Sequence, residues 1–246
     1  MKVGPMPLSV MPLPSWIRDL GHGLLDVLYP PRCLGCGGRP EAAALPLCPA
    51  CLRAMERAPL MGVAARLDRL PVAPTALDGA LALWTFDKGG ALQAVHHALK
   101  YGDRPAYGVA LGRLIGAAYA DAFPASTTPA PDGVVPIPLH RTRELERGYN
   151  QAEALGAGIA EELGVDVRPD LLRRPRATRS QTNLTRADRW KNVRVAFAAS
   201  DDAHGGSWIL VDDVLTTGST AVAAAQTLKE AGAMSVTLSV LSMART

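Results

Sequence analysis

The stretch WILVDDVLTTGST, residues 208–220, constrains the fold of this chain more than any other part of the sequence. Four apolar residues predict a buried strand that ends at two aspartates, and a loop of small residues at 216–220 leads into an alanine-rich helical pattern at 221–231. Loop N–H groups and a helix N-terminus together form an anion site, and Gly218 lets a phosphate approach the backbone. The order predicts a phosphate-binding strand–loop–helix unit of an α/β fold.

The two aspartates, Asp212 and Asp213, need a different ligand from the loop, because carboxylates repel a phosphate. They face either a ribose diol, whose hydroxyls donate to carboxylates, or a hydrated cation. Hydroxyl donors for the phosphate itself come from the loop: Thr216, Thr217, Ser219 and Thr220. A phosphate site beside a diol site describes ribose 5-phosphate. A metal-binding or phosphoacceptor acid pair of another α/β fold is the alternative, and the TTGST that follows argues against it.

This segment resembles the ligand-binding loop of the type I phosphoribosyltransferases, which bind 5-phosphoribosyl-1-pyrophosphate (PRPP). The resemblance implies that Asp212 and Asp213 are catalytic residues that hold the two ribose hydroxyls, while the loop amides hold the 5-phosphate. It also implies Mg²⁺ as a cofactor that accompanies PRPP. The PRPP-binding residues implied after the acid pair are Val214, Leu215, Thr216, Thr217, Gly218, Ser219 and Thr220.

All four cysteines fall in one short window, as CLGC at 33–36 and CPAC at 48–51. Two Cys-x-x-Cys pairs at this spacing are typical of a tetrahedral zinc site. The predicted ligands are Cys33, Cys36, Cys48 and Cys51. Two disulfides are the alternative, which a chain without a recognisable export signal does not favour. Four thiolates leave no open position for a catalytic water, so we expect structural zinc that holds together a small module.

Composition sets broad limits on the class of protein. The chain has 246 residues, of which 48% are hydrophobic, and a net charge of +3, which is too small to indicate nucleic acid by itself. No apolar run approaches the roughly 20 residues that cross a bilayer, so we expect a cytoplasmic protein without membrane insertion. The oligomeric state stays open.

Predicted strands and helices alternate along most of the chain. Besides the 208–211 strand, strands are predicted at 80–86, 133–138 and 235–241, and helices at 91–100, 107–122 and 150–163. This alternation predicts a parallel sheet covered on both faces, with ligands at the carboxyl ends of its strands. We divide the chain into an N-terminal arm (1–24), a zinc-ribbon module (25–76) and a phosphoribosyltransferase-like domain (77–246).

Two basic stretches and a histidine pair leave alternatives open. Arg141, Arg143 and Arg147 suit a pyrophosphate, although a solvated basic loop explains them equally well. Residues 168–194 hold nine Lys or Arg against two acids and are interpreted as a long polar loop, functional or disordered. The pair at 96–97 is interpreted as structural. His140 has two interpretations, since it either packs in the structure or binds the ligand. Lys100 also has two, since it either binds the ligand or stabilises the negative end of the helix dipole.

Several separated motifs together resemble the ComF family, whose members join a double zinc ribbon to a phosphoribosyltransferase-like domain and are linked to DNA uptake. They are the two cysteine pairs, LKYG at 99–102, VPIPLHR at 135–141, RGYNQA at 147–152, RSQTNL at 179–184, RWKNV at 189–193 and the 211–220 segment. The resemblance implies that Leu139, His140 and Arg141 form a pyrophosphate loop, that Lys100 and Arg147 also contact PRPP, and that 176–189 is a hood over the substrate.

Two classes of function follow. One is Mg²⁺-dependent transfer of the phosphoribosyl group to an acceptor that the sequence does not name, with release of pyrophosphate. The other is a DNA-uptake factor that acts on single-stranded DNA or on a partner helicase, a hypothesis to which only Trp190 and Phe197 add aromatic residues near the basic stretch. A PRPP-sensing regulator is a third hypothesis, which is compatible with either of the first two.

Overall fold

The structure, a computed structural model, describes residues 31–42, 44–68, 70, 73–175 and 196–245. The predicted arm, the predicted hood at 176–189, Trp190 and most of the second basic stretch lie outside these residues. Within them, no helix is long and apolar enough to cross a membrane.

A five-stranded parallel sheet forms the centre of the molecule, as the alternation predicted. The strands in chain order are β1 (Gly79–Thr85), β2 (Gly133–Pro136), β3 (Asp166–Val167), β4 (Leu172–Arg173), β5 (Ala198–Ala199), β6 (Ser207–Leu215) and β7 (Ser235–Met243). The sheet order is β1-β7-β6-β2-β3, and β4 pairs with β5 in a separate antiparallel ladder. The helices are α1 (Pro49–Ala54), α2 (Leu60–Leu67), α3 (Ala73–Ala76), α4 (Ala91–Tyr101), α5 (Pro105–Ala122), α6 (Arg141–Arg147), α7 (Gln151–Leu163) and α8 (Ser219–Glu230).

Strand β6 lies in the middle of the sheet and is covered on both faces. Ile209, Leu210 and Val211 are completely buried, which is why this run is continuously apolar rather than alternating. Side chains from α4, α5 and α7 pack on one face of the sheet, and those from α2 and α8 pack on the other. The parallel α/β fold is therefore confirmed.

The predicted end of this strand was wrong. Backbone pairing with β7 continues to Leu215, which lies opposite Met243, so both aspartates stand inside the last part of β6 rather than after it. The helix that follows begins at Ser219, two residues earlier than its alanine-rich pattern suggested. The acids still lie at the carboxyl end of the sheet.

The expected loop after β2 was also wrong in part, since residues 141–147 form helix α6. His140 stabilises its first turn, because Nδ1 accepts a hydrogen bond from Thr142 N at 3.3 Å. The next helix, α7, has the predicted ends: the Asn150 side chain accepts from Ala152 N, and Gly164 closes the helix in the left-handed conformation at φ +68°.

The cysteine-bearing module joins the sheet at β1. Thr85 N donates to Glu56 O at 2.9 Å, and Arg57 forms an antiparallel bridge with Trp84. Residues 56–58 therefore run along the outer edge of β1 before α2 begins.

Candidate functional site

The topology creates one crevice at the carboxyl end of the sheet. Strands β2 and β6 are neighbours, but the chain leaves β2 towards β3 on one side and β6 towards β7 on the other. Such a switch point in an open α/β sheet is where ligands bind. A pocket of about 500 Å³ lies there. Its polar lining includes Lys100, His140, Arg143, Glu146, Arg147, Asn150, Gln151, Arg174, Asp212, Asp213, Thr216 and Thr220.

Asp213 is buried and held by α4. Lys100 Nζ lies 2.9 Å from Asp213 Oδ2, and His96 Nδ1 lies 3.5 Å from the same oxygen. The other ring nitrogen of His96 shares a hydrogen bond with Ser242 Oγ at 2.7 Å. Burial raises the pKa of Asp213, but the contacts with His96 and Lys100 outweigh it and hold this pKa well below its ordinary value. Asp213 is therefore a fixed anion.

Asp212 has the opposite character. Its Oδ1 accepts a hydrogen bond from Asp213 N at 2.8 Å, and its side chain is half-buried in the pocket wall. Burial and the neighbouring charge of Asp213 raise the pKa of Asp212 to about 7. The adjacent acids thus differ in protonation near neutral pH.

The loop between β6 and α8 ends in a left-handed glycine at a helix N-terminus. Gly218 adopts φ +83° at the N-cap of the twelve-residue α8. Thr216, Gly218 and Thr220 line the pocket. Thr217 is exposed and Ser219 is buried, and these two hydroxyls lie 3.1 Å apart. They stabilise the loop and are not part of the pocket lining.

Helix α6 contributes two arginines and Glu146 to the pocket lining. Arg143 and Arg147 are four residues apart on α6 and share one helix face, which lines the pocket. Arg141 lies on a different face and lines a neighbouring groove instead. Arg147 Nη1 donates to Gln151 Oε1 at 2.7 Å, which orients its guanidinium from α7. Leu139, Val214 and Leu215 also line the pocket.

The sequence did not single out several residues at the site, including Glu146, Gln151 and Arg174, or the contact of His96 with Asp213. His96 was interpreted as structural because nothing in the sequence pairs it with Asp213. Arg174 lies near the start of the polar stretch at 168–194 and lines the pocket. Burial and repulsion from Arg143 lower the pKa of Arg174, and attraction to Asp212 opposes that shift. The high density of arginine in that stretch was the available signal, but it did not single out Arg174.

The four cysteines converge at a second place. Their Sγ atoms all lie within 4.8 Å of one another, and Cys36 Sγ is 3.7 Å from Cys48 Sγ. All four cysteines are free of disulfides. The Cys36–Cys48 distance matches the edge of a ZnS₄ tetrahedron, about 3.8 Å for Zn–S bonds of about 2.3 Å. Cys48 N donates to Cys33 Sγ at 3.2 Å, as expected for a knuckle that favours thiolate. The donor set fits zinc.

Comparison with known proteins agrees with this second site. A family model described as "Double zinc ribbon domain" matches residues 24–60. With four cysteines in total, the chain provides one four-thiolate site within that match.

The sequence is also similar to curated bacterial proteins. It is 35% identical over 145 residues to the DNA utilization protein YhgH of Salmonella typhi, covering 59% of this chain and 64% of that protein. It is 32% identical over 125 residues to Competence protein F of Haemophilus influenzae, covering 50% and 55%, and 37% identical over 99 residues to Competence protein ComFC of Bacillus subtilis, covering 40% and 39%. The matches thus span less than two thirds of each relative.

Two of the solved structures similar to the chain show low overall agreement with it. Glutamine PRPP amidotransferase of B. subtilis is 20% identical with a TM-score of 0.39, covering 58% of this chain and 30% of that one. Adenine phosphoribosyltransferase of Leishmania tarentolae is 17% identical with a TM-score of 0.35, covering 62% and 74%. The chain is a homologue of the DNA utilization protein YhgH and of the competence proteins F and ComFC, with a double zinc ribbon domain beside a parallel α/β domain.

Proposed function

We propose that this protein binds Mg–PRPP in the pocket between β2 and β6. The observation that carries the proposal is the convergence of an acid pair, a small-residue anion loop and an arginine-lined wall on one pocket of about 500 Å³. A ligand that satisfies all three groups has a diol between two anionic groups. PRPP has this structure, with a ribose between a 5-phosphate and a pyrophosphate.

The parts of the pocket then divide by charge. The loop N–H groups and the N-terminus of α8 hold the 5-phosphate. Asp212 and Asp213 accept hydrogen bonds from the ribose hydroxyls. Arg143, Arg147 and Arg174 face the pyrophosphate, because guanidinium groups pair well with phosphate oxygens.

Magnesium fits this arrangement as part of the ligand. Mg²⁺ prefers oxygen ligands, typically one or two carboxylates together with substrate phosphates and water. Of the two adjacent aspartates in the pocket, Asp212 is the one without an ion pair to Lys100. When bound with PRPP, the cation would neutralise part of the charge on the pyrophosphate. Asp212 must be ionised for either role, so binding is expected to favour pH above 7.

The proposed reaction is displacement at ribose C1. The bond from C1 to the pyrophosphate oxygen breaks, pyrophosphate leaves with the electron pair, and an acceptor nucleophile forms the new bond to C1. Positive charge develops on the ribose, which the adjacent carboxylates stabilise, and negative charge develops on pyrophosphate, which the arginines stabilise.

The test is release of pyrophosphate from Mg–PRPP in the presence of a panel of nucleobases and amines. We expect acceptor-dependent release by the zinc-loaded chain and none by the variant with Asp212→Asn and Asp213→Asn. Mg–PRPP binding without release would support a PRPP-binding regulator, whereas neither binding nor release by folded protein would overturn the proposal.

DNA handling is the second candidate, favoured by relatives whose names are DNA utilization protein and competence protein. Here we infer contact with single-stranded DNA through phosphate-binding cations. Anisotropy of a labelled oligonucleotide should show affinity that falls steeply with salt. Absence of binding, or binding independent of salt, would contradict this candidate and leave PRPP binding untouched.

A further inference from the structure

Helix α2 connects the cysteine-bearing module with the anion loop. It follows directly after the 56–58 segment that runs along β1, and it ends at the carboxyl end of the sheet. In its last turn, Arg66 Nη1 donates a hydrogen bond to Thr216 O at 2.7 Å. A residue 150 positions earlier in the chain therefore holds the first peptide group of the loop.

Apolar contacts reinforce this connection. A Cβ placed on Gly218 would lie 2.8 Å from Leu67 Cδ2 and 3.3 Å from Leu70 Cδ1. Both leucines are almost fully buried, and they belong to the same core cluster as Leu215 of β6 and Val222 of α8. The end of α2 thus fills the space directly behind the left-handed glycine of the loop.

We propose that α2 positions the anion loop, with Arg66 and Leu67 as positioning residues, and that folding of the zinc module is thereby coupled to ligand affinity at the pocket. The ligand part of this coupling rests on the proposed function, but the positioning of the loop does not. Neither side chain lines the pocket, so both act through the loop backbone rather than on the ligand.

Physical reasons favour such coupling. Anion binding by backbone N–H groups depends on donors that already point at the ligand, and fixing the Thr216 carbonyl fixes the peptide plane that carries the next N–H. A small four-thiolate module obtains much of its folding free energy from zinc. Coupling between two binding sites is reciprocal, so a ligand in the pocket must also favour the zinc-bound module.

Hydrogen exchange of the full-length, zinc-loaded chain tests the positioning without any ligand. In Arg66→Gln, exchange of a peptide that spans 215–220 should become about tenfold faster than in the wild type. The matched control is Arg53→Gln, which removes the same charge from an exposed position on α1 and should leave this peptide unchanged. Equal exchange in wild type and Arg66→Gln would overturn the proposal.

A second pair of variants separates positioning from the charge of Arg66. Leu67→Ala removes the contact behind Gly218, whereas Val63→Ala removes a buried side chain one turn earlier on the same helix. In folded protein, Leu67→Ala should accelerate exchange at 215–220 and Val63→Ala should not. Equal acceleration in both would indicate general loosening of the core and would contradict a positioning role.

The coupling has its own readout in zinc transfer to a chromogenic chelator. Saturating Mg–PRPP should slow transfer from the wild type about fivefold or more, and should have little effect in Arg66→Gln. If Mg–PRPP binds but leaves wild-type transfer unchanged, the coupling is wrong and the proposed function stands. If Mg–PRPP does not bind, the proposed function fails, and the exchange data alone decide whether α2 positions the loop.

Discussion

Lys100 of α4 and Asp213 of β6 form an ion pair, with Nζ 2.9 Å from Oδ2, that joins the helix to the carboxyl end of the central strand. The pair leaves Asp212 as the acid with the higher pKa, beside the open pocket. Neighbouring residues of identical type thus have different physical tasks. Asp213 lines the pocket as a fixed anion tied to α4, and Asp212, which has no ion pair to Lys100, lines the pocket and titrates near neutral pH.

Breaking the Lys100–Asp213 ion pair should destabilise the folded protein. Lys100→Met removes the ion pair but leaves the buried carboxylate beside His96, and should lower the free energy of unfolding by about 3 kcal/mol, the lower end for a buried pair because Lys100 keeps some solvent exposure. Urea denaturation measures this value. Adding Asp213→Asn to Lys100→Met should recover part of the loss, and a further loss would contradict the ion-pair interpretation.

The raised pKa of Asp212 predicts a dependence of stability on pH. A folded-state pKa of about 7 lies above the unfolded value near 4, so the contribution is fully present below about pH 4 and is lost as the pH rises through 7. The free energy of unfolding should fall by about 3 kcal/mol between pH 5 and pH 8. Denaturation at both pH values should show this decrease in the wild type and a much smaller one in Asp212→Asn. An equal decrease in both would show that other groups cause it.

Gly218 is predicted to resist substitution for two reasons. Gly218→Ala introduces a side chain at φ +83° and brings its Cβ to 2.8 Å from Leu67. Gly205→Ala is the matched control, since Gly205 has φ +72° but open space around the added carbon. Strain alone costs about 1–3 kcal/mol in each variant, so thermal unfolding should show a larger loss for Gly218→Ala. Equal losses would indicate that the contact with α2 does not matter.

Zinc should be bound at one ion per chain and should stabilise the module. Replacing one ligand, as in Cys36→Ser, should reduce the zinc content well below one and lower the melting temperature. Glu41→Gln, an exposed change between the two cysteine pairs, should keep the full zinc content. Metal analysis of both purified variants checks this, and full zinc retention by Cys36→Ser would refute the four-thiolate site.

Most of the architecture could be predicted because it depends on local patterns. Short apolar runs that alternate with helical segments predict a parallel sheet. Asn150 as a cap and Gly164 as a stop predict the ends of α7. The cysteine spacing likewise predicts the tetrahedral zinc site, because each Cys-x-x-Cys pair forms its own turn. The division of the chain at residues 76 and 77 stays a prediction.

The parts that could not be predicted depend on contacts between distant segments. The pairing of β6 with β7 extends the strand past the acid pair, and no local pattern reports that pairing. His96 meets Asp213 only because α4 crosses the end of β6. Helix α6 has few apolar residues, so its helical periodicity is weak. Its ends are set by the His140 cap and by the left-handed turn at Gly148.

The most direct test of the account is calorimetric titration of the zinc-loaded chain with Mg–PRPP at pH 8, where Asp212 is ionised. We expect saturable binding to the wild type and to Asp121→Asn, an exposed acid on α5, and affinity at least about tenfold lower for Asp212→Asn. Unchanged affinity in Asp212→Asn, or no binding to folded wild-type protein, would contradict the claim that this acid pair and its loop form a PRPP site.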